Sequence, residues 1–332
     1  MTSIADVAAA AGVGIGTVSR VLNDSPHVSP ETRAKVEAAI DELGYRPSPT
    51  ARALSSGHST AVCLVVPPFT NPGVSERLAA AADVLTRREF EVIVKVAETP
   101  ADVTRIVSER STIDRPAGLV FLDVPITTED GQALLSAGVP TAVTGFHVAS
   151  IASSWADPSE ALRIATEHLV KLGHRRIALV QRPEPLGGEV PRRQGYLAVV
   201  GELMTQPRVE TVIDPTDPGS RNRLGELLAP TGDVTGVVTT SDDLAYAVLA
   251  AAASAGRRVP EDLSVVGSGD LAASAHIGLT TVREDVGSSA AWAAEQVLGA
   301  IDGTLGDTAY RAVEVELIER GTSGPAPETS VS

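Results

Sequence analysis

The sequence predicts an α/β protein built as a three-helix module, a hinge and two Rossmann-like subdomains, in that order. Three observations carry this. Residues 3–46 hold helix start and stop signals with no strand pattern; residues 47–57 are rich in Pro, Ser and Ala; and from Ala61 short apolar runs alternate with helical stretches. That alternation is the signature of a parallel sheet covered by helices. With 332 residues, the chain has length for roughly two domains of ~150 residues.

The first helix opens at Ser3, with Asp6 three residues on as a capping box, and stops at Gly12. A turn over Gly12-Val13-Gly14 leads into a second helix over 15–23. Ser29 caps a third, with Pro30 at its first position and Glu31 in its first turn, and Gly44 ends it. Val36, Ile40 and Leu43 are expected on its buried face. Apolar or small residues at Val7, Ala8, Ala11, Val13, Val18 and Val21 suit a helix-turn-helix, which needs a turn residue tolerant of positive φ and small side chains at the crossing. The second helix then offers Ile15, Gly16, Thr17, Ser19, Arg20 and Asn23 to a major groove. The plain alternative is a three-helix cap on a larger domain; the form of the turn favours DNA binding. A phosphate-cradling loop over residues 12–16 is rejected, because a helix precedes it and the glycine spacing is short by one residue.

Composition excludes several classes. Apolar residues make up 43% and charged residues 21%, which is globular composition with material for a core. The longest apolar stretches, 61–69 and 244–253, fall well short of the roughly 18 residues of a membrane span. The opening Met1-Thr2-Ser3-Ile4-Ala5-Asp6 has no basic start followed by an apolar segment, so a cytoplasmic location without membrane contact is expected. Cys63, in an apolar strand, is the single cysteine and implies no disulfide or cysteine-based metal site. Net charge is −15, and residues 1–57 hold five basic and six acidic side chains. DNA binding therefore rests on pattern, not on charge.

The stretches Ile4-Ala5-Asp6-Val7-Ala8, Ala11-Gly12-Val13, Thr17-Val18-Ser19-Arg20-Val21-Leu22-Asn23, Val28-Ser29-Pro30-Glu31-Thr32-Arg33 and Leu43-Gly44-Tyr45-Arg46-Pro47 resemble the lactose-repressor (LacI/GalR) family of transcription regulators. The resemblance continues through Leu172-Gly173-His174-Arg175-Arg176-Ile177-Ala178, Arg192 three before Gly195, Arg258-Val259-Pro260-Glu261-Asp262-Leu263 and Leu279-Thr280-Thr281-Val282-Arg283, and spans about 3–320. It departs at Gly14, where the family usually has serine, and at Gly16, a poor helix former.

The resemblance implies subdomains of periplasmic-binding-protein type and a homodimeric repressor that binds a palindromic operator under control of a small-molecule effector, a sugar or sugar-like metabolite being favoured. It implies a DNA-binding domain over 1–46, a hinge over 47–59, an effector-binding and dimerisation domain over 60–320, and crossings between subdomains near Asp157, Glu284 and Gly306. A segment as short as the hinge is not helical alone in water; in the family it folds on the operator and wedges a leucine into the minor groove. Leu54 takes that leucine's place, with Ala51 beside it.

Strands are expected over 61–66, 91–96, 117–122, 141–144, 177–180, 236–239, 263–266 and 310–317, with helices over 72–88 (capped by Asn71), 158–172, 191–203, 242–255 and 286–301. Ligands bind at the carboxyl ends of such strands. Arg192 is a candidate because its guanidinium can fork onto a hydroxyl pair or carboxylate. Ser241 and Asp242 stand where the family has an Asn-Asp pair, and Asp157 and Asp270 match acidic landmarks, Asp157 being equally suited to capping. Phe69 and Trp155 can stack on a ring, in a chain with few aromatics, though Phe69 also suits a core. Gly145 and Gly269 stand where the family often has aspartate, which removes two acceptors for sugar hydroxyls.

No catalytic or cofactor motif occurs, so no cofactor and no enzyme activity are expected; a solute-binding protein or an α/β enzyme without a DNA role is the alternative. His174 reads as a structural turn residue, residues 321–332 as a disordered tail, and no leucine heptads mark a terminal coiled coil.

Overall fold

A computed structural model gives the fold for residues 3–22, 25, 27–44, 59–70, 73–109, 116–182, 192–203, 206–212, 214, 217–229, 232–304 and 309–328. The first three helices are α1 (Ile4–Ala11), α2 (Ile15–Leu22) and α3 (Pro30–Leu43). The Ser3 hydroxyl accepts from the Asp6 N–H at 3.3 Å while Asp6 Oδ2 accepts from the Ser3 N–H at 2.8 Å, so two orphan donors are satisfied reciprocally. These bonds hold the Asp6 carboxyl below its ordinary range. Gly12 takes φ 65°, which a side chain would strain, and α1 and α2 meet at 103°. Val7, Ala8, Val18, Val21, Val36 and Ala39 close the core of the module. Leu43, expected inside, is exposed, and Ala39 takes the second buried position.

The remainder forms two six-stranded sheets. In chain order follow β1 (Ala61–Val66), α4 (Val74–Arg87), β2 (Glu91–Val96), α5 (Pro100–Ser108), β3 (Gly118–Leu122), α6 (Thr128–Ser136), β4 (Thr141–Thr144) and β5 (Ala152–Trp155). Next come α7 (Glu160–Lys171), β6 (Ile177–Gln181), α8 (Arg192–Glu202), β7 (Arg208–Thr211), α9 (Pro218–Leu227), β8 (Gly236–Thr239), α10 (Asp242–Ser254), β9 (Ser264–Ser268), α11 (Ala272–Ile277) and β10 (Thr280–Glu284). Last are α12 (Val286–Ile301), β11 (Tyr310–Ala312) and β12 (Val315–Ile318). The first sheet is ordered β11-β5-β4-β3-β1-β2 and is wholly parallel; the second is β12-β10-β9-β8-β6-β7, parallel but for β12. Each is covered on both faces, which is why β1 is buried along its whole length. Val62, Leu64 and Val66 face α4 and α12, while Cys63 and Val65 face α5 and α6. The second sheet is sandwiched in the same way by α7 and α8 and by α9 and α10.

Several expectations need correction. The run 310–317 is two strands, β11 in the first sheet and β12 in the second. The third crossing therefore lies between Ala312 and Val315 rather than near Gly306, which falls outside the described residues; the first two lie after Trp155 and after Glu284. The cap of α4 is Gly73 at φ 83°, without a side-chain bond, and Asn71 lies outside the described residues.

Residues 321–326, after β12, are held in place by hydrogen bonds, against the expected disorder. The Thr322 carbonyl accepts from the Val265 N–H at 2.7 Å, and its hydroxyl donates to the Val265 carbonyl at 2.7 Å while accepting the Thr280 N–H at 2.9 Å. Farther on, the Gly324 N–H donates to Ser264 Oγ and the Ala326 N–H to the Leu172 carbonyl. His174 is fully buried beneath this strap, with Nδ1 3.0 Å from Thr235 Oγ1 and Nε2 3.0 Å from Ser264 Oγ. Composition suggested disorder because such residues bury little apolar area; here they supply hydrogen bonds to buried groups instead.

Candidate DNA interface and effector cleft

On α2, Val18 and Val21 turn into the module core. Ile15, at 51% exposure, Gly16 and Arg20 face outward, with Thr17 and Ser19 half-buried beside them. A side chain at Gly14 or Gly16 would meet nothing within 4 Å, so this end of the helix is bare backbone around one isoleucine. A surface of this shape admits close approach to a groove. Asn23, Ala51 and Leu54 lie outside the described residues.

The second site is a concavity between the two sheets. Arg77, Asp123, Thr144, Gly145, Ser154 and Trp155 come from the first subdomain and Arg192 from the second. Ala156, Pro158, Glu284, Val286 and Val313 come from the three crossings. Arg192 opens α8, which lies against α7 because Gly195 has no side chain: a Cβ there would stand 1.9 Å from the Ser159 carbonyl oxygen. The indole Nε1 of Trp155 is buried without a hydrogen-bond partner among the described residues.

Trp155 and Arg192 are thus the two expected ligand residues that line the concavity. Phe69 is 64% exposed in the turn after β1, so it is not a core residue, and it does not line the concavity. The Asp157 carboxylate accepts from the Ser159 N–H and hydroxyl at 2.9 and 2.7 Å, and these bonds lower its pKa; the cap of α7 is Ser159, so Asp157 bonds the turn before the helix rather than capping it. The Ser241 hydroxyl donates to Asp243, which pairs with Arg182. Asp242, expected at the ligand, is instead wholly buried within the second subdomain. It accepts from the Leu271 N–H at 2.8 Å and from the Ser274 and Thr281 hydroxyls at 2.5 Å each. Burial pushes its carboxyl up while these donors pull it down. Gly267 is bare for its sake, since a Cβ there would stand 2.2 Å from Asp242 Oδ1. Asp270, at φ 48°, is bound by Arg320 at 2.7 Å, so it braces the strap after β12.

Arg77, Asp123 and Glu284 escaped the sequence reading. Asp123 directly follows the apolar run of β3, the place where the strand-end rule puts ligand groups. Its Oδ1 occupies the space a side chain at Gly145 would take, 2.5 Å from that Cβ position. One of the carboxylates missed at 145 is therefore supplied from 123. Cys63 is buried and its thiol pushed up to about 11, which leaves it a small core side chain at neutral pH. Among the described residues no group of His, Cys, Asp and Glu is placed to hold a metal. No single described helix is long and apolar enough to cross a membrane.

Comparison with known proteins identifies both parts of the chain. Residues 3–48 match the family model described as bacterial regulatory proteins, lacI family, and residues 166–323 match a periplasmic binding protein-like domain. The HTH-type transcriptional regulator reg1 of Streptomyces lividans is 32% identical, the match covering 98% of each chain. The HTH-type transcriptional regulator CelR of Thermobifida fusca is 34% identical over 81% of this chain and 82% of its own. Among solved structures, a lac repressor dimer bound to operator and the anti-inducer ONPF superposes with a TM-score of 0.78 at 27% identity, covering 97% of this chain and 99% of that one. The lac repressor structure thus shares the fold over nearly the whole length of both chains. The chain belongs to the lacI family of bacterial regulatory proteins, and it is a DNA-binding transcriptional regulator, not an enzyme.

Proposed function

We propose that the protein is a cytoplasmic repressor acting as a homodimer on a near-palindromic operator, controlled by a sugar or sugar-like effector in the cleft. One observation carries the control: residues of all three crossings line the same concavity as Trp155 and Arg192. A ligand held there favours one degree of closure over another, and a difference in affinity between the two states is all that a population shift requires. Closure sets the spacing of the two hinges in the dimer and so the fit of the paired modules to their half-sites.

In this reading residues 1–46 bind DNA, 47–59 form the hinge and 60–320 bind effector and partner. Ile15, Gly16, Thr17, Ser19, Arg20 and Asn23 face base edges, and Leu54 with Ala51 wedges the minor groove at the centre. Arg192 and Trp155 hold the effector. A solved relative is a CelR–cellobiose complex, which supports a sugar-like ligand. The edge strand β2, with Ile93 and Val94 more than a third exposed, offers apolar surface for a second copy.

The test is Arg20→Ala, measured by fluorescence anisotropy on a selected operator and on unrelated DNA. Loss of a base contact is expected to cost about 1–3 kcal/mol on the operator and little on unrelated sequence. Equal loss on both would mean that Arg20 touches phosphate only, and no loss on either would remove α2 as the reading element.

A further inference from the structure

Arg77 breaks the pattern of its own helix. The buried stripe of α4 runs Val74, Arg77, Ala81 and Leu85, so a guanidinium stands where the spacing calls for an aliphatic side chain. Arg77 is only 9% exposed. Its charged partner is Asp123, with Nη2 3.5 Å from Oδ2. That is longer than the ~2.7–2.9 Å of a charge-assisted hydrogen bond. A guanidinium has several N–H donors, and the cost of taking it out of water is recovered only when they find acceptors. The fold makes room for the pair twice. A Cβ at Gly73, where φ is 83°, would stand 2.9 Å from Arg77 Nη1, and one at Gly145, where φ is 80°, 2.5 Å from Asp123 Oδ1. Both side chains line the cleft.

We propose that Arg77 and Asp123 are a ligand-reading pair, completed by two adjacent hydroxyls of an uncharged sugar. One hydroxyl donates to the Asp123 carboxylate, and the oxygen of its neighbour accepts from Arg77. Among the described residues, the charged side chains lining the concavity are two guanidiniums, Arg77 and Arg192, and two carboxylates, Asp123 and Glu284. The two signs balance, so an uncharged ligand leaves the lining neutral, whereas an acidic one adds a negative charge with no cation left over to answer it. The pair therefore selects against the acidic derivative of the sugar it accepts. The assignment rests on the cleft being the effector site.

Isothermal titration calorimetry on the full chain tests it, with cellobiose, maltose, galactose and ribose set against glucuronate, galacturonate and glucose 6-phosphate. An uncharged sugar is expected to bind, more tightly than any acid of the panel. Asp123→Asn and Arg77→Met are each expected to weaken that binding at least tenfold while operator binding without sugar persists. If Arg77→Met loses operator binding too, Arg77→Lys takes its place, since it keeps the charge, loses the fork and carries the same expectation. Preference for an acid, or an Asp123→Asn variant that binds as well or better, overturns the pair and leaves the cleft reading standing. Binding by no member of the panel overturns both.

Discussion

Replacing Thr322 by valine keeps the shape of the side chain and removes one hydroxyl. That hydroxyl donates to the Val265 carbonyl at 2.7 Å and accepts the Thr280 N–H at 2.9 Å, and all three residues are buried. Valine takes a hydroxyl partner away from both backbone groups in a site with little access to water. Each such lost bond costs up to about 1–3 kcal/mol, so the two together are expected to cost roughly 2–6 kcal/mol. Measured against a total stability of about 5–15 kcal/mol, this is a large fraction. Thr322→Ser retains the hydroxyl and loses one methyl group, with an expected cost of about 1 kcal/mol. Urea denaturation followed by far-UV circular dichroism reads both variants, and Thr322→Val should unfold at clearly lower urea than Thr322→Ser. A valine variant within about 0.5 kcal/mol of the parent, the range of neutral surface changes, would refute the structural role of the strap. So would a serine variant less stable than the valine.

Further outcomes follow from the same geometry. Gly195→Ala places a methyl against the Ser159 carbonyl and the Arg163 N–H, backbone that cannot swing aside, and should cost at least about 2 kcal/mol by thermal unfolding. Leu54→Ala should weaken operator binding tenfold or more in a gel-shift titration while calorimetry finds effector binding unchanged. Arg192→Ala should abolish the effector response and leave operator affinity without effector intact; a retained response would remove Arg192 from the cleft. Burial lowers the pKa of His174, and of His168 on α7. Unfolding restores the ordinary value near 6.5, so the unfolded chain binds more protons below it. Stability should hold above about pH 6.5 and fall on acidification. His174→Gln should flatten that fall, as read from urea midpoints across a pH series.

The first three helices were legible because their signals are local: Ser3 with Asp6, Gly12, Ser29 with Pro30, and Gly44 each fix a terminus by their own chemistry. The strands β1, β3 and β8 were legible because burial on both faces demands unbroken apolar runs. The strands Ala152–Trp155 and Arg208–Thr211 carry no such run, since their polar residues are satisfied by neighbours distant in sequence, as Ser154 is by Ser289. The strap 321–326 escaped for the same reason. Its threonine, serine and glycines answer donors and acceptors on β9, β10 and α7 that composition does not reveal. At the cleft, Arg192 and Trp155 follow from residue chemistry and family resemblance, but the separation of Asp242 from Asp123 does not. Both follow or begin an element at a strand's carboxyl end, and only packing decides that one braces a sheet and the other faces the cavity.

The most direct test of regulated, sequence-specific DNA binding is selection of genomic fragments by the purified full chain at low and near-physiological salt, read by sequencing. Phosphate contacts alone weaken steeply with salt, whereas base contacts and the twofold fit of a dimer preserve preference. The account predicts one palindromic sequence that survives the higher salt, with flexible spacing excluded by the paired modules. Fragments without a shared palindrome, or lost altogether when salt is raised, would contradict it.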